Sequence, residues 1–211
     1  MAAFLRLTLP SLLRRCITAG ALLVAANPAM AIDEPAYTVA RAYDAFEVRN
    51  YEPYIVAETV VAGTAAEAGN EGFRILAAYI FGANKGSRKI AMTAPVTEVA
   101  VKIAMTAPVA QSARADGYVV QFAMPREWTL ESLPEPTDAR VALRAVPARK
   151  IAVVRYSGTW SQGGYEEHLK QLQADVAKEG LRWHGEPGWA RYDPPWKPWF
   201  MRRNESWLEL D

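Results

Sequence analysis

The chain has 211 residues, 51% of them apolar and 22% charged, with 24 basic residues against 23 acidic ones. That balance excludes a disordered or fibrous protein and fits one globular domain with its own core. It also excludes the basic surface that nucleic acid would require.

The first part of the chain stands apart from the rest. Arg6, Arg14 and Arg15 precede an uncharged run from Ile17 to Ala26, and Asn27, Pro28, Ala29, Met30 and Ala31 follow it. This is the order of a secretory signal peptide with small residues at its cleavage site. Residues 1–31 are therefore expected to be removed, leaving residues 32–211 as a domain exported to the periplasm or outside the cell, with no integral membrane span. The run is short for a bilayer. The alternative is an uncleaved segment that tethers the domain to the membrane. Arg14 and Arg15 leave the twin-arginine route open. Cys16 is the single cysteine and precedes the apolar run, so the exported chain has no thiol for a disulfide, a nucleophile or a metal site. Loss of the three arginines leaves 21 basic residues against 23 acidic.

From Tyr37 the pattern is strand-like. Phe46 to Arg49 alternates apolar and charged, Asn50 to Pro53 is turn-prone, and Tyr54 to Val61 is apolar, which predicts a hairpin. Glu67 to Ile80 has Phe73, Leu76, Ala77 and Ile80 at helical spacing and is ended by Gly82, Asn84 and Gly86. Strands are expected again from Ile90 to Met124. After a linker with Pro134, Pro136 and Thr137 the same order recurs. Val141 to Val146 and Lys150 to Tyr156 are strands, and Tyr165 to Glu179 is a helix with Tyr165, Leu169, Leu172 and Val176 as its apolar stripe. Trp189 to Tyr192 and Glu205 to Leu210 are terminal strands, with His184 in a loop before them. Two successive units of strands and one helix indicate an internal duplication. Neither half alone buries much surface, so the expected class is α+β, a pseudo-two-fold unit forming one curved or closed antiparallel β-sheet with two flanking helices.

Two identical octapeptides, Lys89 to Val96 and Lys102 to Val109, both read Lys-Ile-Ala-Met-Thr-Ala-Pro-Val. Each is expected to be a short strand with Ile and Met on one face, ending in the extended geometry that proline imposes on the residue before it. They are read as a core hairpin, or with the methionines as a pocket wall or ligand.

This doubled segment does not stand alone. Gly72-Phe73 and Tyr79-Ile80-Phe81-Gly82 precede it, and Arg191 to Pro198 and Arg202-Arg203-Asn204-Glu205 come near the end. Together they resemble the SOUL haem-binding family from about Tyr37 to Leu210. The resemblance implies a sheet with two helices similar to the small-molecule-binding domains related to the gyrase-inhibitory protein. It also implies binding of haem or another porphyrin, a small apolar planar ligand, in a shallow apolar cleft beside the first helix.

Carried over residue by residue, the resemblance places Asn70, Phe73, Ala77 and Ala78 on the cleft face. Basic residues that relatives carry there are missing, and Arg74 or Lys85 stands as a substitute. Lys197 matches a basic position of the family's loop and would pair with a propionate. Trp196, with Trp199 and Phe200, either covers a planar ligand or forms a rigid lid on the core. His168 and His184 are the two imidazoles, and neither matches the family's proposed histidine ligand. His168, beside Tyr165, Leu169 and Leu172, reads as a boundary residue ahead of a metal ligand.

The function expected is that of a monomeric binding protein, a haem carrier or buffer, without catalysis. A small-molecule hydrolase using Glu47, Glu58 or Glu205 is one alternative, although no Gly-x-Ser-x-Gly elbow, His-Glu-x-x-His helix or phosphate loop is present. An envelope interaction module docking through the Trp- and Pro-rich loop is the other.

Overall fold

The computed structural model describes residues 34–102 and 116–211. The expected signal peptide and the second octapeptide beyond Lys102 lie outside the described residues. The elements in order are β1 (Tyr37–Ala42), β2 (Glu47–Tyr51), β3 (Tyr54–Ala62), α1 (Ala65–Ile80), β4 (Val96–Lys102) and β5 (Asp116–Ala123), then β6 (Ala142–Val146), β7 (Arg149–Tyr156), α2 (Gln162–Lys178), β8 (Trp183–Arg191) and β9 (Asn204–Leu210). The described strands form one curled antiparallel sheet in the order β1-β2-β7-β9-β8-β4-β5-β3-β6.

That order contains the duplication. Exchanging β2 with β6, β3 with β7, β4 with β8 and β5 with β9 reverses the sheet onto itself, with β1 as an addition at one edge. The axis runs between β4 and β8. Each half gives its first strand to the other, since β2 pairs with β7 and β6 pairs with β3.

This exchange overturns the expected hairpin. β2 and β3 are not neighbours: β2 lies between β1 and β7, and β3 lies between β5 and β6. The turn-prone residues make a corner, where the Glu52 amide donates to the Ala36 carbonyl. Turn chemistry marks where a strand ends and does not choose its partner.

The first octapeptide is corrected too. Residues 89–95 form no strand. Ile90 is buried and its amide donates to Ile80, whereas Met92 is 40% exposed, so the two do not share a face. The Thr93 hydroxyl donates to the Ala123 carbonyl, the Ala94–Pro95 peptide is cis, and β4 begins at Val96. His184 lies in β8 rather than a loop, next to a register shift that ends at Gly188.

The helices begin where their caps dictate. Thr64 accepts from the Glu67 amide while the Glu67 carboxylate accepts from the Thr64 amide, a capping box. Ser161 accepts from Gly164 at the start of α2. On α1, Ile75, Leu76, Tyr79 and Ile80 are buried against Ala57, Val120 and Phe122. On α2, Leu172 and Val176 cover Ala152 and Leu208, as the stripe predicts. Among the described residues no helix is long and apolar enough to cross a membrane.

α1 approaches the sheet closely because of Gly72. A Cβ there would stand 2.5 Å from Val120 Cγ2, on a side chain that is itself fully buried. Gly72→Ala is expected to destabilise by about 1–3 kcal/mol, overcrowding outweighing alanine's better helix propensity. Chemical denaturation checks this, and an unchanged or raised midpoint would show that the helix yields freely.

Candidate functional site

The two helices lie on one face of the sheet, as a chain of contacts shows. A Cβ on Gly69 of α1 would stand 2.8 Å from Glu98 Oε1 of β4. Glu98 is paired across strands with Trp189 of β8, so their side chains share a face. The Trp189 ring meets Tyr165 of α2 with centroids 4.2 Å apart. α1 packs chiefly on β5 and β3, and α2 on β7 and β9. A groove therefore runs between the helices along the β4–β8 seam, on the pseudo-two-fold axis.

Aromatic rings cross this groove. Tyr118 of β5 meets Trp189 edge-on at 5.6 Å, and Trp189 meets Tyr165. Toward α2 a recess is lined by Tyr156, Trp160, Tyr165, Trp189, Arg191 and Asn204, among others. Trp160 is held by its indole N–H, which donates to Asn204 Oδ1 at 3.0 Å, and the Arg191 guanidinium lies 5.2 Å from its ring centroid.

Beneath the rings lies an ion pair. Arg191 Nη2 stands 3.0 Å from Glu98 Oε1, and Glu98 is completely buried. The Trp189 indole also bears on the carboxylate and, like Arg191, favours its charged form. Burial outweighs the attraction of Arg191 and lifts the Glu98 pKa to about 7. Burial also lowers the Arg191 pKa, with Glu98 opposing. Each partner is thus less comfortable in its charged form than in water, which is unusual for a structural pair.

The α1 residues taken for the cleft divide between the helix's two flanks. Gly69, Phe73 and Ala77 follow at steps of four, so Phe73 and Ala77 continue the flank on which Gly69 meets Glu98. Phe73 is 41% exposed and packs edge-on against Phe122 at 5.4 Å. Asn70 is exposed near the same flank. Ala78 lies on the other side, with Glu71, which Arg140 reaches at 3.4 Å. Arg74 is bound to Glu71 at 2.6 Å, and Lys85 to Glu135 at 2.6 Å.

Trp196 and Lys197 stand on the β8–β9 loop. Trp196 is 84% exposed, and Lys197 Nζ is bound to Asp193 at 2.6 Å. The loop is tied to the β7–α2 connection through Gly158, whose amide donates to Trp199, and through Arg202, which lies over Trp160. Among the described residues no hydrogen bond, ion pair or ring contact joins Trp196 or Lys197 to Asn70, Phe73, Arg74, Ala77 or Ala78. His168 is half-buried on α2 and stacks on Tyr156 with centroids 3.9 Å apart. Among the described residues no three His, Cys, Asp or Glu side chains gather as a metal-binding group.

The acids considered for catalysis are all paired. Glu205 accepts from Arg49, Arg203, Tyr192 and Trp207. Glu58 is held by Arg144 and Gln121, and Glu47 by Arg49. Glu98 was not singled out from the sequence, and Tyr165, Trp189 and Arg191 were named there only for a helix stripe, a strand and a family motif, not as site residues. Their one signal is Glu98 itself, a carboxylate at an inward position of the apolar strand Val96 to Val101.

A second concavity, about 250 Å³, lies between residues 34–36 and 123–128, with Tyr54, Ile55, Met124 and Trp128 in its walls. Within its lining Arg126 donates to the Glu34 carbonyl at 2.7 Å, and the Glu34 carboxylate is bound by Arg203 from outside it.

With this geometry in view, comparison with known proteins decides the family. The SOUL heme-binding protein family profile matches residues 32–209. The chain belongs to the SOUL family. It is similar to Heme-binding protein 1 of Xenopus laevis, 28% identical over 166 residues, covering 78% of this chain and 83% of that protein. Among solved structures the EcmrR C-terminal domain matches with a TM-score of 0.58 at 12% identity, covering 83% of this chain and 98% of that one. An uncharacterized conserved protein from Listeria innocua matches with a TM-score of 0.59 at 13% identity, covering 79% and 92%. These structural likenesses establish the SOUL chain's fold and nothing about its ligand.

Proposed function

We propose that this SOUL protein binds haem or a related tetrapyrrole in the groove between α1 and α2, as a carrier or buffer outside the cytoplasm. Membership of a heme-binding family supports the ligand class. The observation that carries the site is the row Tyr118, Trp189 and Tyr165 across the groove, bordered by the flank of α1 with Phe73 and Ala77. A flat apolar ring finds aromatic faces there and small side chains that let it approach. The residues suit the ring more than the iron. The imidazole beside the groove is His168, whose ring is stacked on Tyr156, so the grip is read as burial of the macrocycle rather than axial ligation. Export follows from the signal-peptide pattern of residues 1–31, and with it a role in an oxidising compartment.

Titration with haemin and with metal-free protoporphyrin, followed at the Soret band, tests this. Both are expected to saturate at one equivalent. Phe73→Ala should weaken each by roughly tenfold, about 1.4 kcal/mol, while His168→Ala and Lys197→Ala leave both within twofold. Absent or non-saturating binding would remove the tetrapyrrole reading. Selective loss of haemin binding in His168→Ala would show that the iron is ligated.

A further inference from the structure

The recess beside α2 is small, about 40 Å³, and shares Trp189 and Tyr165 with the row of rings. At about 10–15 Å³ per water in this measure, it takes roughly three water-sized groups. That is too little for a macrocycle and suits the three heavy atoms of a carboxylate. Its charged lining residue is Arg191, the partner of Glu98. The other cations considered for a propionate are already engaged: Lys197 with Asp193, Arg74 with Glu71, Lys85 with Glu135.

We infer that this recess is a carboxylate-binding subsite, in which Arg191 exchanges Glu98 for a carboxylate of the ligand while Glu98 takes up one proton from solvent. The balance is one negative charge for another. The ligand carboxylate supplies the anion, the proton neutralises Glu98, and the Arg191 guanidinium stays charged throughout. Three observations carry it. Glu98 is fully buried and its charge is balanced by Arg191 at 3.0 Å, so a ligand carboxylate that takes Arg191 away leaves Glu98 to be neutralised by a proton. α1 closes over the carboxyl at Gly69, where a Cβ would stand 2.8 Å from Oε1, so a Glu98 that loses Arg191 is neutralised and not hydrated. Arg191 borders both the recess and Glu98. The lifted pKa of Glu98, about 7, agrees with this geometry.

The groups facing the pair are few. α1 presents Gly69, β7 presents Tyr156, α2 presents Tyr165, with Glu166 beyond it, and β5 presents Tyr118. Burial holds the Tyr156 and Tyr165 phenols above their ordinary pKa, so both stay neutral near pH 7. Glu186 lies within electrostatic range of Tyr165. His168 is stacked on Tyr156, and a His168→Asn control removes its imidazole.

The subsite rests on the groove reading for the macrocycle, and on the recess alone for the carboxylate. The test compares deuteroporphyrin, its dimethyl ester and 3-phenylpropionate by calorimetry at pH 6 and pH 8, each in two buffers of different ionisation enthalpy. The diacid is expected to bind about tenfold tighter than the diester at pH 6, with uptake approaching one proton per ligand at pH 8. Glu98→Gln should keep the diacid preference and abolish proton uptake. Arg191→Gln should abolish the preference, and Glu98→Gln/Arg191→Gln repeats that result without an unpaired buried carboxylate. If diacid and diester bind equally, the subsite is wrong and the groove reading stands. If neither porphyrin binds, the groove reading falls and 3-phenylpropionate decides: saturable binding lost in Arg191→Gln upholds the subsite, and no binding overturns it.

Discussion

Glu205→Gln is expected to destabilise the protein by about 3–5 kcal/mol, the range for breaking a buried ion pair by removing one partner's charge. Glu205 is completely buried in β9, on the sheet face opposite the helices. Its carboxylate accepts from Arg49 at 3.1 Å, Arg203 at 2.8 Å, Tyr192 at 2.8 Å and Trp207 at 2.9 Å. Glutamine keeps the shape and loses the charge, and its amide N–H groups would face donors where acceptors are needed. Arg49 is 4% exposed and would keep Glu47 and the Tyr51 hydroxyl, while Arg203 would keep Glu34. The network joins β2 and β9, which flank β7, to the loop after β8, so the loss should appear as one cooperative shift of the denaturation midpoint. A change below 1 kcal/mol would mean that solvent reaches this site.

Glu98 imposes a pH dependence of opposite sense to that of ordinary surface carboxylates. Its pKa in the folded protein is about 7, against a usual 4.5. Between those values the native state holds a proton that the unfolded chain has released. Stability from this group is therefore complete below about pH 4.5 and is lost as pH rises through about 7, by at most about 3 kcal/mol. Surface acids such as Asp138, held low by Arg140, act only in more acidic solution. The measurement is the difference between wild type and Glu98→Gln in urea at pH 5, 6, 7 and 8. Wild type should lose stability across this span relative to the variant. The Arg191 left unpaired in the variant contributes an offset that does not vary with pH here. Parallel curves would show that Glu98 remains ionised throughout.

How much was legible beforehand follows from the range of each interaction. The helices were readable because apolar stripes are local, as Leu172 with Val176 shows, but the caps Thr64 and Ser161 were not read and start the helices at Ala65 and Gln162, ahead of the expected Glu67 and Tyr165. The duplication was readable because each half repeats the same order. The strand partners were not: β2 leaves its sequence neighbour β3 for β7, a choice made by tertiary packing. Of the candidate site, Phe73 and Ala77 were placed on the groove flank through the family's helix motif. Lys197 was chosen because it matches a basic position of the family's loop, but Asp193, four residues before it, binds it at 2.6 Å. Glu98, Trp189 and Arg191 meet only when β4 pairs with β8 across the pseudo-two-fold axis, and no spacing in the sequence encodes that meeting.

The most direct test of the groove as the ligand site uses the indole N–H resonances of the seven tryptophans, which are spread over the competing surfaces. Trp189 and Trp160 report on the groove and its recess, Trp128 on the concavity near Glu34, and Trp196 and Trp199 on the β8–β9 loop. Metal-free protoporphyrin is diamagnetic, and its ring current shifts the nuclei it covers. Addition of one equivalent should move Trp189 most and Trp160 next, leaving Trp128 and Trp196 nearly unchanged. Shifts confined to Trp128, or to Trp196 and Trp199, would place the ligand elsewhere and contradict the account.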